Sequence, residues 1–211
     1  MEFPFERPNE EWSRVSRAGL AGWLIFYGLF FLNAAVDADG FLFLDHANLA
    51  IHETGHPAFG IFDWHTLTML GGTLMELLVP LGIGLYFWWM RQTTGVAFAA
   101  FWYFENFLYI AAYMGDARTL QLPLVNAQDV GDHDWNFLFS WWGILPYDRQ
   151  IAGWTRTLGW TGMISAAVWL GWMQRSQQSA PRYLKPWKAA RRGPIQYGDE
   201  RAPAGSPKDV T

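Results

Sequence analysis

The residues with the most distinctive chemistry are His52-Glu53-Thr54-Gly55-His56. Positions i and i+4 of a helix share one face, so His52 and His56 can chelate a single metal ion. Glu53 then stands where a general base takes a proton from water activated by that ion. The competing reading is a pair of helix histidines hydrogen-bonded to their neighbours. A catalytic zinc keeps three protein ligands and one open position, so a third ligand has to come from elsewhere in the chain. Asp116 is one candidate, because it shares a helical face with Glu105, Tyr109 and Ala112. His133 is the alternative, set among carboxylates in Gly131-Asp132-His133-Asp134-Trp135. His46 and His65 flank the motif and read as interfacial residues; His65 is also placed to cap a helix.

Three further polar residues, Glu76, Glu105 and Asn106, lie inside otherwise apolar runs. Each glutamate falls about ten residues from a helix end, or about 15 Å deep. Carboxylates at that depth must be protonated, paired or metal-bound. They either complete a deeper polar site with the histidines or form a protonated pair that holds helices together.

The elements that carry these groups follow from composition. The chain has 211 residues, no cysteine, 51% hydrophobic residues and only 16% charged ones, against roughly 25% in soluble domains. Disulfide scaffolds, thiolate zinc sites, iron–sulfur ligation and cysteine nucleophiles are excluded. So are a disordered chain and a typical nucleic-acid binder. The mean hydropathy of +0.01 averages apolar runs with a hydrophilic tail. Gly19–Val36, Thr66–Met90, Thr94–Gly115 and Ile151–Met173 are each long enough to cross the hydrocarbon core. Trp88, Trp89, Trp141, Trp142 and Trp172 sit near span ends, as in interfacial belts. The first run has full span length behind an acidic N-terminus, which reads as a span and not as a cleavable signal.

These runs predict an all-α polytopic membrane bundle. It comprises an N-terminal segment 1–18, a transmembrane domain 19–173 and a basic polar tail 174–211. Asn48–Phe62 is too short to cross and too apolar for open solvent, so it reads as a re-entrant or interfacial helix that carries the motif. Pro57 is expected to kink or end that helix, or to form a hairpin tip with Gly60. Gly71-Gly72, Gly159 and Gly162 read as close-approach points between helices. Arg7, Arg14 and Arg17, then Arg91, then the basic tail put both termini and the second turn in the cytoplasm. Residues 36–150 carry only Arg91, Arg118 and Arg149 against twelve acids, and both long connections, 37–65 and 116–150, fall on the outer face.

HETGH followed by an apolar run with Gly71-Gly72 resembles the membrane-embedded zinc metalloproteases of the site-2 protease class. Taken with YMGDAR (residues 113–118), LPL (122–124) and HDW (133–135), the chain more closely resembles a group of small bacterial membrane proteins related to that class. The likeness covers about residues 45–150. It implies a bacterial inner-membrane protein with zinc held by His52, His56 and Asp116, and Glu53 as base. The class usually has Asn-Pro and Asp-Gly around its third ligand; here Asn106 and Gly115-Asp116-Ala117 stand instead. The class also cuts near the cytoplasmic side, whereas the charge pattern puts this motif outside.

Two functions are therefore expected. One is a zinc metallohydrolase, most simply a peptidase, acting on a membrane-associated peptide from the outer side. The other is a non-catalytic accessory subunit of a larger photosynthetic or respiratory membrane complex. Its histidines would hold a structural metal or a cofactor, and partner subunits would order the tail. A transporter built on Glu76 and Glu105 lacks the inverted repeat that such folds show. The lipid bilayer is a partner in every reading, and nucleic acid in none.

Overall fold

The computed structural model describes residues 11–36, 41–122 and 133–179, and all six α-helices lie among them with no strand. They are α1 (Arg17–Val36), α2 (Asp45–Gly60), α3 (His65–Trp89), α4 (Thr93–Gly115), α5 (Asp134–Trp141) and α6 (Asp148–Ser179). The expectations for residues 1–10, for Asp132, for Pro123 and Leu124 of the LPL run, and for the tail from 180 onward lie outside the described residues.

Helices α1, α3 and α4 are long and apolar enough to cross a membrane. α6 is longer still, at 32 residues, but its Gly, Thr and Gln content leaves it short of that hydropathy. Its side chains nonetheless sort by face. Trp154, Leu158, Ile164, Val168 and Trp172 are exposed, while Gly159, Met163, Ala166 and Leu170 are buried. The hydroxyls of Thr157, Thr161 and Ser165 donate back to carbonyls four residues earlier, at 2.7–2.9 Å, so none needs water.

Between apolar helices, close packing holds the bundle, because lipid already solvates the side chains. Gly159 and Gly162 provide it for α6 on α4. A methyl group at Gly162 would lie 2.0 Å from the Phe104 ring, and one at Gly159 would lie 3.0 Å from the Phe104 carbonyl oxygen. α1 joins through rings: Tyr27 stacks on Phe101 at 4.5 Å, and Phe30 meets the same ring edge-on at 5.2 Å. Such pairs add about 0.5–1.5 kcal/mol each beyond area burial.

The segment around Ser13, the α3–α4 turn and the C-terminal part of α6 meet at one end of the bundle. The turn between α3 and α4 passes through Arg91 at φ 56°, a left-handed conformation that costs about 1–2 kcal/mol for a residue with a side chain. Trp12 lies 5.2 Å beneath its guanidinium, and the Ser13 N–H donates to its carbonyl at 2.8 Å. Ser13 also accepts from the Thr93 N–H at its hydroxyl and from Gln177 Nε2 at its carbonyl. Residue 13, the α3–α4 turn and the C-terminal part of α6 are thus stapled together. α2 and α5 lie at the opposite end.

Candidate metal centre

The inner face of α2 carries Asp45, Asn48, His52 and His56, spaced by three, four and four residues. Pro57 neither ends nor turns this helix, which runs on to Gly60; a proline omits one internal hydrogen bond, and here the ring faces outward, exposed. Two glycines let α2 lie directly on α3. A methyl at Gly55 would sit 2.1 Å from the Gly71 carbonyl oxygen, and one at Gly72 would sit 2.4 Å from His52 Nε2. The Gly71-Gly72 pair and the Gly of HETGH therefore form one contact.

Each histidine has one ring nitrogen engaged behind it. His52 Nδ1 donates to Glu76 Oε1 of α3 at 2.8 Å, and His56 Nδ1 donates to the Thr68 carbonyl at 2.9 Å. Both Nε2 atoms then face Asp134, the first residue of α5. Asp134 Oδ2 lies 2.9 Å from His52 Nε2 and 3.4 Å from His56 Nε2. Among the described residues these three offer ligand atoms within 4.8 Å of one another. His52 and Asp134 are buried, whereas the His56 side chain is 25% exposed and forms the open flank. Burial opposes a charge on His52, but the hydrogen bonds to Asp134 and Glu76 outweigh it and push its pKa up to about 10. Glu53 is half-buried, one residue from His52 and three from His56, within electrostatic reach of Tyr109 and Tyr113.

The structure does not bring Asp116 or His133 to the histidine pair; the acid that arrives there is Asp134. Asp116 caps α4 and folds onto its own turn. Its carboxylate accepts from Thr119 Oγ1 and from the Gln121 and Leu122 N–H groups. Burial works to raise Asp116, but these bonds hold it below the ordinary carboxylate range. His133 is buried, and Nδ1 accepts from the Asn136 N–H; burial keeps its pKa below the usual value despite the nearby Asp116 charge. Arg118 pairs with Asp148 at 2.7 Å, not with Asp116, and so ties the end of α4 to the start of α6. His46 meets Phe41, and His65 packs edge-on to Phe137; neither joins the centre, and α3 starts without a side-chain cap.

Glu76 and Glu105 go to different partners. Glu76 serves His52. Glu105 accepts from Asn48 Nδ2 at 2.9 Å, one turn before His52 on α2. Asn48 also donates to Asp45 and accepts from Trp102 Nε1 at 2.7 Å. Asn106 folds back onto the Trp102 carbonyl and joins neither histidine. Glu76 Oε2, Glu105 Oε1 and Asn106 Oδ1 are buried without a hydrogen-bond partner.

Two imidazole nitrogens and one carboxylate, with the far ring nitrogens already committed, form a donor set suited to zinc. The group can hold a metal ion. Asp134 escapes a spacing argument because it lies 78 residues beyond His56 and arrives through the docking of a short helix. The available signal is the Asp132-His133-Asp134 triplet, carboxylates flanking a histidine just before a run rich in Trp, Phe and Leu. Comparison of the chain with protein-family models, curated proteins and solved structures gives no match.

Proposed function

We propose that the chain is a membrane-embedded zinc metallohydrolase, most simply a peptidase. Its metal is held by His52, His56 and Asp134, and Glu53 is its base. One observation carries this reading: both Nε2 atoms converge on one buried carboxylate while each Nδ1 is held by a separate acceptor. The HETGH likeness to site-2 proteases supports it. The bundle is read as four spans, with α6 as the fourth because its outer face is apolar and its hydroxyls are satisfied internally. α2 is read as a re-entrant or interfacial helix at the outer end. Arg14, Arg17 and Arg91, on or beside the stapled segments, support a reading with both termini in the cytoplasm of a bacterial inner membrane.

When bound, zinc supplies the Lewis acidity that makes water a nucleophile at neutral pH. The chain's own groups do the rest. Glu53 takes the water's proton and returns it to the leaving amine. Glu76 and the Thr68 carbonyl fix the two imidazoles in the tautomer that leaves Nε2 free. Burial of His52 and Asp134 excludes water from all but the His56 flank, so a membrane-associated peptide approaches from that side.

The same burial favours a second reading, an accessory subunit in which a structural metal pins α2 to α5. Metal analysis of detergent-purified protein, with a peptide-hydrolysis assay on the wild type and Glu53→Gln, decides between them. The enzyme reading expects one zinc per chain in both proteins and hydrolysis reduced at least 100-fold in the variant. Full activity in Glu53→Gln removes the mechanism. Zinc in both without hydrolysis in either leaves the accessory reading. No metal in the wild type removes the enzyme reading and leaves an accessory subunit whose histidines hold a cofactor.

A further inference from the structure

Asp134 comes from the shortest helix, at the end of a connection, yet a metal ligand must be held to within a fraction of an ångström. Its placement traces back to the two residues that sequence spacing singled out as ligands. His133 occupies the N-cap of α5 in extended conformation, φ −84° and ψ 105°. Its Nδ1 accepts from the Asn136 N–H, three residues on, at 3.2 Å, so the ring does what Ser or Asp commonly does at this position. The ring proton is then on Nε2, which points at Asp116 Oδ2 from 3.6 Å, in electrostatic range. Asp116 cannot swing away, because Thr119, Gln121 and Leu122 hold it. Tyr113, one turn before Asp116 on α4, completes the seat. Its ring lies 4.3 Å from that of His133, and its hydroxyl accepts the Asp134 N–H at 3.2 Å. Asn136 Nδ2 adds a bond to the Ala117 carbonyl at 2.7 Å.

We propose that Asp116, His133 and Tyr113 form a positioning relay that fixes the metal ligand Asp134. Asp116 orients the His133 ring, His133 caps α5 and sets its first turn, and Tyr113 holds the Asp134 backbone. The C-terminal end of α4 thereby sets the third ligand without touching the metal. This inference rests on the His52–His56–Asp134 reading and assigns what keeps that set together.

The test is zinc affinity, measured by competition with a chromophoric chelator on the detergent-solubilised full chain. His133→Ala is expected to weaken binding 10- to 100-fold, the usual effect of removing an orienting partner. His133→Asn restores affinity to within about threefold, because Asn is among the best N-caps. Tyr113→Phe, which removes one oxygen and keeps the ring, weakens binding about three- to tenfold. Wild-type affinity in His133→Ala overturns the relay. So does failure of His133→Asn to rescue, the result expected if His133 were itself a ligand. Should His133→Ala not fold, His133→Asn and Tyr113→Phe decide the matter, and wild-type affinity in Tyr113→Phe overturns the relay. A wild-type protein that binds no zinc overturns the metal reading instead.

Discussion

Gly55→Ala is the most direct probe of how the centre is built. Its methyl would lie 2.1 Å from the Gly71 carbonyl oxygen and 2.5 Å from the carbonyl carbon, both backbone atoms that cannot rotate away. An ordinary carbon–oxygen contact needs about 3.2 Å, so α2 and α3 must part by about 1 Å. His52 rides on α2 and Glu76 on α3, so their 2.8 Å contact opens towards about 4 Å, outside hydrogen-bond range. Overpacking of this kind costs about 1–3 kcal/mol. Loss of ligand alignment adds a 10- to 100-fold weakening of zinc binding. Thermal unfolding in detergent and chelator competition measure the two effects separately. Gly22→Ala is the control: it is exposed on α1 with nothing near its methyl, and alanine favours a helix over glycine by up to about 1 kcal/mol. Gly55→Ala with wild-type unfolding temperature and zinc affinity would refute the backbone contact and the geometry drawn from it.

Further outcomes follow from the same contacts. Asp134→Ala is expected to abolish zinc binding at micromolar metal, whereas Asp116→Asn keeps one zinc per chain at reduced affinity; equilibrium dialysis separates the two. His52, with its pKa pushed up to about 10 by Asp134 and Glu76, is charged at pH 7 until metal displaces its proton. Affinity should therefore rise by about tenfold per pH unit below that value, seen as proton release in calorimetry with buffers of different ionisation heat. At Asp148, burial works to raise the carboxyl, but the Arg118 hydrogen bond outweighs it and holds it below its ordinary value. A depressed carboxylate contributes stability that is complete above about pH 4 and lost as pH falls through its folded value. Unfolding temperature should drop on acidification below that point, and less steeply in Asp148→Asn.

The spans, the motif and the glycine contacts were legible because each is a local pattern. Apolar runs located α1, α3 and α4 to within two residues, and the pair at i and i+4 placed His52 and His56 on one face. Pro57 misled because proline is a breaker on average, yet an exposed proline late in a helix sacrifices only one bond. Asp116 misled for a different reason. Helical periodicity assigned it a face, but it is the residue where the helix stops, and its side chain turned to the orphan N–H groups of its own turn. Asp134 was hidden because a candidate ligand on a separate short helix is placed by tertiary docking. Trp135, Leu138 and Phe139 bury themselves against Ile110, Ala111 and Met114 of α4, and periodicity does not rank such contacts. Glu76 and Glu105 were legible as buried acids in need of partners, but not as acids serving different residues, His52 and Asn48.

The staple around Ser13 has a mechanical consequence. One end of the bundle is fastened by hydrogen bonds from the N-terminal segment to the α3–α4 turn and to α6, whereas α2 is held chiefly along one side, on α3. A tethered end and a one-sided end make a lever with its fulcrum near Thr93. Any parting of the helices is therefore expected at the histidine end and not at the stapled end. Loosening that fulcrum, far from every candidate ligand, would free the histidine end to move without altering the His52–His56–Asp134 contacts themselves.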